Sequence, residues 1–252
     1  MDTASNKSFY SGTEAEITEQ AATLIIAEAY HAISERGRFS LVLAGGNSPR
    51  SLYRQLARGV ANNGKVTFIP WEKSWLFWGD ERSVPANHPE SNYQMARETL
   101  LSQAPIPENH IFRMPAEKED GKEAAREYEE TIRTFFQTAS PHSFPDFPIF
   151  DLLILGLGDD GHTASLFPDN AEALQETKRW VIAVNEPHAK PPGKRLTLTF
   201  PVINHARNVL FFTTAREKAG LAKKIFSAEE RGVPASRVKP LKGKTFWFTL
   251  QL

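Results

Sequence analysis

Ile154–Pro168, ILGLGDDGHTASLFP, closes an apolar run and contains the spacing G-x-G-x-x-G. After a strand, that spacing marks a dinucleotide site when its glycines open onto a helix N-terminus. Here Asp159 and Asp160 stand among the glycines, where a pyrophosphate would lie. Each carboxylate would oppose a bound anion by about 1 kcal/mol or more at close range. The fingerprint also belongs to an early strand–helix unit, whereas this one begins only at Gly156. The loop therefore reads as chemistry of its own, centred on His162. Imidazole can take a proton from water and return it later, and Asp160 is the nearest carboxylate to orient it. Thr163 and Ser165 read as donors to a sugar or as caps of the next turn.

Working outward, the run before the loop, IFDLLILGLG, is the most apolar of several strand-like segments. FSLVLAGG, SWLFWG, RWVIAV, RLTLTF, NVLFFTT and TFWFTL supply the others. Between them lie amphipathic helices. Glu14–Arg36 carries Ile17, Ala21, Leu24, Ile25, Ala29, Ala32 and Ile33 on one stripe, with Gly37 as its stop. A second helix starts at Pro49, with Ser48 as its expected cap. Others run to about Gln103, through Ala125–Phe136, and from about Arg216 to Phe226. The proline-rich PHSFPDFP reads as a surface loop within one domain. Apolar strands alternating with such helices predict a single α/β domain over 1–252: a mostly parallel, Rossmann-like open sheet covered by helices on both faces.

The 252 residues carry 30 basic and 30 acidic side chains and no cysteine. Zero net charge gives no global attraction for nucleic acid or an anionic membrane. The missing thiols remove disulfides, thiolate metal sites and cysteine nucleophiles. The polar N-terminal stretch has no signal-peptide core and no segment approaches a membrane span, so the expectation is a cytoplasmic protein.

In open parallel sheets ligands bind beyond the carboxyl ends of the strands, and three polar, glycine-bearing segments fall there. In AGGNSPRS, Gly45 and Gly46 allow close backbone approach, Ser48 adds a hydroxyl and Arg50 a charge, at a helix start that suits phosphate. The same segment also reads as a plain strand–helix turn, and no P-loop pattern is present. In GDERSVPANHPESN, Asp80, Glu81 and Arg82 are either a solvated charge run or part of a site. There Arg82 would neutralise an anion, and Asn92 would bind a hydroxyl or start a helix. The third segment is the loop of His162. No G-x-S-x-G elbow supports a serine nucleophile, and no H-E-x-x-H supports zinc. His31 reads as a helix-surface residue, and His110, His142 and His205 as loop or turn residues.

Three blocks, LAGGNSPRSLYRQL, FWGDERSVPANHPESNYQMARETLL and FDLLILGLGDDGHTASLFP, resemble the 6-phosphogluconolactonases, in the fold group shared with glucosamine-6-phosphate deaminases. With KRLTLTFPVINHARNVLFFTTAREKA the likeness covers most of the chain. The resemblance implies hydrolysis of 6-phosphoglucono-1,5-lactone in the oxidative pentose phosphate pathway, without a cofactor and with a small sugar phosphate lactone as partner. It matches His162 to the catalytic histidine, the glycine turn to the phosphate site, Asp80 and Arg82 to the active-site loop, and Arg195 and Lys218 to cations that reach the phosphate. Arg82 is the expected oxyanion donor, and Asp160 or Asp80 the expected orienter of His162. The chain departs from the family's pattern at Ala44, at Asn47 and Ser48, and in the tail after Trp247. The related deaminases carry a glutamate five residues after the loop histidine. Phe167 stands there and cannot move protons, which favours the lactonase. A non-catalytic sugar-phosphate sensor on the same fold would have no need of His162.

Overall fold

A computed structural model describes residues 6–139 and 146–252. In chain order the elements are β1 (Lys7–Gly12), α1 (Glu14–Arg36), β2 (Phe39–Leu43), α2 (Pro49–Arg58), β3 (Val60–Asn62), β4 (Lys65–Thr67), β5 (Ser74–Trp78), β6 (Asp80–Arg82), α3 (Asn92–Ala96), α4 (Gly121–Ala139) and β7 (Leu152–Leu155). They continue with α5 (Ala171–Leu174), β8 (Val181–Glu186), β9 (Gly193–Leu198), α6 (Phe200–His205), β10 (Asn208–Thr213), α7 (Arg216–Phe226) and β11 (Lys244–Leu250).

Six strands form one sheet in the order β1-β11-β10-β7-β2-β5, and every neighbouring pair is parallel. β2, β7 and β10 are buried at every residue, so both sheet faces are covered. This is the α/β architecture that the alternation of segments predicts. α1 has the expected bounds. Thr13 and Glu16 close a reciprocal capping box at its start, and Gly37, at φ 73°, ends it by donating to Ile33 O.

The structure differs from the sequence reading in four places. First, β1 lies in the polar N-terminal stretch. It gains its strand structure from a parallel partner, β11, as the sheet's edge. Second, RWVIAV and RLTLTF do not join the main sheet. As β8 and β9 they form an antiparallel sheet in the order β6-β9-β8. Its open face shows in β8, where Ala183 and Asn185 alternate with buried neighbours. Third, Val60–Thr67 forms a small hairpin. Asn63 and Gly64 both have positive φ, the conformation a two-residue turn of this hand requires. Fourth, the helix running to about Gln103 is α3 followed by a π-helical turn over Arg97–Leu101. In the proline-rich connection, residues 140–145, His142 included, lie outside the described residues. His31 is exposed on α1, and His205 closes α6 with Nδ1 2.6 Å from Pro201 O.

At the amino end of the sheet Asp151 joins β7 to β2. Its Oδ2 accepts from Ser40 N and Ser40 Oγ at 2.8 and 2.7 Å, and Oδ1 meets Arg36 Nε at 3.0 Å and Arg207 Nε at 3.5 Å. Asp151→Ala leaves these donors unpaired, and urea denaturation should show a loss of about 2–3 kcal/mol. A variant as stable as the parent would remove this clamp from the account of the fold.

Candidate active site

The chain's path through the sheet reverses between β2 and β7. From β2 it moves outward to β5, and from β7 it moves the other way to β10 and β11. The loops leaving β2 and β7 therefore diverge and open a crevice at the carboxyl ends. A cavity of about 750 Å³ lies there, lined by all three polar segments. Gly45, Gly46, Ser48, Arg50, Asp80, Arg82, Asn92, Asp160, His162, Arg195 and Lys218 all border it.

The first loop is held from behind by α2. The Tyr53 hydroxyl donates to Ala44 O and accepts from Ala44 N, both at 2.8 Å, so the turn begins from a fixed residue. Ser48 does not cap α2. Its own backbone is already helical, and its Oγ accepts from Thr214 N at 3.1 Å, tying this turn to the loop before α7. Arg50 meets Glu98 at 3.4 Å. Gly45 makes its close approach to protein: a Cβ there would fall on the Asn92 amide.

That contact changes the reading of Asn92. Buried in the first turn of α3, it donates Nδ2 to Asp80 O at 2.8 Å and to Asp80 Oδ1 at 3.3 Å, so its N–H groups are spent on the protein, while Oδ1 is buried without a hydrogen-bond partner among the described residues. Asp80 Oδ2 accepts from Ser165 Oγ at 2.7 Å. One buried carboxylate thus joins the second loop to the third, and its bonds are to Asn92 and Ser165. Thr163, expected as a sugar donor or cap, instead bonds Gly156 O at 2.9 Å.

The triplet Asp80–Arg82 is no solvated charge run; it is β6. Glu81 is almost fully buried and accepts from Asn92 N, Tyr93 N, Arg82 N and Ser91 Oγ at 2.7–2.9 Å. Burial pushes its carboxyl up from the ordinary value, and these four bonds push the other way. Ser91 caps α3 by accepting from Gln94 N, so Glu81 and Ser91 together satisfy the helix's free N–H groups. The sequence signal for Glu81 was that need for acceptors, ten residues downstream at Ser91.

Arg82 and Arg195 are directly opposed partners in the β6–β9 pair. Each guanidinium holds a loop carbonyl: Arg82 Nη1 donates to Glu90 O and Arg195 Nη2 to Pro191 O, both at 2.5 Å. Arg82 Nε is buried without a hydrogen-bond partner among the described residues. Burial lowers the pKa of Arg195, and the Arg82 charge lowers it further. Together they form one cationic wall. The loop between β8 and β9 brings His188 and Lys190 to the same cavity, residues for which the sequence carried no recognised pattern. Lys218 reaches Asp159 at 3.4 Å, which offsets one of the loop's two carboxylates.

In the third loop Gly158 N donates to His162 O and Gly161 N to Gly158 O. The amides turn inward, and the next helix is the four-residue α5. No helix N-terminus is presented to a pyrophosphate here. Asp160 Oδ1 accepts from His162 N at 3.0 Å and lies 2.6 Å from His162 Nδ1. A carboxylate accepts only, so Nδ1 carries a proton and, in the neutral ring, the lone pair is on Nε2. The carboxylate facing the ring is Asp160, while Asp80 is spent on Asn92 and Ser165. Phe167 stacks on the imidazole, with centroids 4.1 Å apart. Among the described residues no three His, Asp or Glu side chains gather to hold a metal, and no helix is long and apolar enough to cross a membrane.

The β2/β7 reversal thus brings a carboxylate-held imidazole and a cationic wall into one cavity. The chain belongs to the family described as glucosamine-6-phosphate isomerases/6-phosphogluconolactonase, whose model matches residues 12–247. It is 42% identical over 233 residues to a 6-phosphogluconolactonase of Synechocystis sp., covering 92% of this chain and 90% of that protein. It is 43% identical over 214 residues to the 6-phosphogluconolactonase of Homo sapiens, covering 84% and 78%. The crystal structure of 6-phosphogluconolactonase from Thermotoga maritima, 28% identical, matches with a TM-score of 0.80 over 97% of this chain and 100% of that one.

Gly158 completes the histidine's seat, because a Cβ there would overlap the imidazole. Gly158→Ala should keep the fold, with a midpoint within about 3 °C of the parent, and displace His162. The downfield proton resonance of a carboxylate-bound Nδ1–H, expected in the parent, should vanish. Its persistence would show that the ring tolerates the extra carbon.

Proposed function

We propose that this chain hydrolyses 6-phosphoglucono-1,5-lactone to 6-phosphogluconate, the lactone-opening step of the oxidative pentose phosphate pathway. The observation that carries the mechanism is the 2.6 Å contact between His162 Nδ1 and Asp160 in the wall of the cavity. It leaves Nε2 as the base. Family membership over nearly the whole chain supports the substrate.

The phosphate is anchored by the turn at Gly45–Ser48 with Arg195 and Lys218, and this anchor sets the lactone carbonyl beside His162. His162 Nε2 takes a proton from water as the water oxygen bonds to C1. The carbonyl electron pair moves onto oxygen, and Arg82 donates to that oxyanion. The oxyanion collapses, the bond from C1 to the ring oxygen breaks, and the imidazolium returns its proton to that oxygen. Asp160 keeps Nδ1–H in place and stabilises the transient imidazolium. The steps balance without cofactor, metal or covalent nucleophile.

The arrangement of Arg82 beside Arg195 also supports an anionic substrate. Two neighbouring guanidiniums, one with its pKa lowered by burial and by the other, gain when an anion arrives.

His162→Asn should lower turnover about 10²–10⁴-fold with a small change in KM, read as lactone hydrolysis above the spontaneous rate. Near-normal turnover in a folded variant would sink His162 as the base. Arg195→Ala should raise KM more for the phosphorylated lactone than for unphosphorylated gluconolactone, with some loss of turnover allowed. Equal losses on the two substrates would remove the phosphate role.

A further inference from the structure

Phe167 is the residue on which the lactonase comparison turned, because it cannot move protons. The geometry points to a role of its own: we infer that Phe167 is a positioning residue, which clamps the imidazole of His162 against Asp160 and gives the imidazolium formed during turnover an aromatic face. This inference rests on the lactonase reading of the same site.

Asp160 holds the ring of His162 at one atom only, Nδ1. A single hydrogen bond leaves the ring free to rock about that contact, and nearly a third of the side chain is open to the cavity. The second constraint is the Phe167 ring. It stacks on the imidazole with centroids 4.1 Å apart and planes inclined by 28°. With Nδ1 fixed and one face covered, the ring plane is defined, and so is the direction of Nε2. A misplacement of about 1 Å at a reacting group can cost 10²-fold in rate.

Phe167 is itself held rigidly. Leu166 N donates to Thr163 O at 3.0 Å, with Ala164 in the left-handed region at φ 48°. This tight turn sends the chain back over His162. Ser165, in the turn, is tied to Asp80, and Leu166 is fully buried. Phe167 is 8% exposed yet borders the cavity. Its ring is thus placed by the core and presented to the site.

The electrostatics agree. The Arg195 guanidinium lies 5.7 Å from the centroid of the same ring. An aromatic face attracts a cation, so Phe167 supports both the standing charge of Arg195 and the charge that His162 acquires as it takes the water proton. A leucine would fill similar space without providing that face.

The test compares Phe167→Leu and Phe167→Tyr, each alone and combined with His162→Asn, using lactone hydrolysis corrected for the spontaneous rate. Phe167→Leu should lower kcat about 10- to 100-fold with KM within about threefold. Phe167→Tyr, which keeps the ring, should recover most of the loss. In the His162→Asn background, Phe167→Leu should cost nothing further in kcat, because its effect on kcat passes through the imidazole. An equal loss in that background, or unchanged kcat, would overturn the inference. A second measurement needs no turnover. In the wild-type protein the His162 ring protons should be displaced upfield by the stacked Phe167, and unshifted protons would overturn the inference even if no Phe167 variant folds. Wild-type protein without hydrolysis would instead overturn the lactonase reading, and the ring-proton shift would still report on the clamp.

Discussion

Asp80 carries the site. Its buried carboxylate accepts from Ser165 in the loop after β7 and from Asn92 at the start of α3, while the Asn92 amide packs where Gly45 has no side chain. Three loops leave three strands, and nothing in the sheet itself fixes their tips relative to one another. A carboxylate so largely removed from water needs its donors at hydrogen-bond distance, and that need sets the loops' spacing. Glu81 repeats the device one residue later, gathering the N-terminus of α3 onto β6. The two acids are the scaffold against which His162 and the arginines are measured.

The charges of the site are arranged by the sheets. Net charge is zero over the chain, yet the β6–β9 register sets Arg82 against Arg195 on one wall of the cavity. Cross-strand like charges oppose folding unless something draws them together. Here loop carbonyls of Glu90 and Pro191 take one N–H from each, and the pair faces the space where an anionic substrate is proposed to lie. The acids of the glycine loop have divided tasks: Asp159 answers Lys218, and Asp160 answers His162. Of the two carboxylates that argued against a pyrophosphate, Asp160 is the one that lets the loop hold an imidazole.

Much of the architecture was legible along the chain. β7 is an unbroken apolar run, β2 and β10 are mostly apolar, α1 is a periodic stripe with a clear stop at Gly37, and the alternation of strands and helices implies a parallel sheet with ligands at its carboxyl end. β1 escaped because it is an edge strand in a polar stretch. β8 and β9 were seen as strands but not assigned to a second sheet, since pairing partners far apart in sequence leave no local mark. The hairpin at Asn63–Gly64 had a local mark in its turn residues.

For the site, the sequence by itself determined which residue types stand at the strand ends: the glycines, Asp80, Arg82, Asp160 and His162. It also determined the absence of thiol chemistry and, through its motifs, the family. Only the tertiary structure decided what each does. It placed Asp160 on the imidazole while binding Asp80 to Asn92 and Ser165, turned Ser48 toward Thr214 instead of its own helix, and set Phe167 over His162 and Arg82 beside Arg195. The physical reason is that a side chain's role here is the choice of one partner among several of suitable chemistry. Those partners are brought into contact by strand order and loop closure, and neither is written in the spacing of neighbours along the chain.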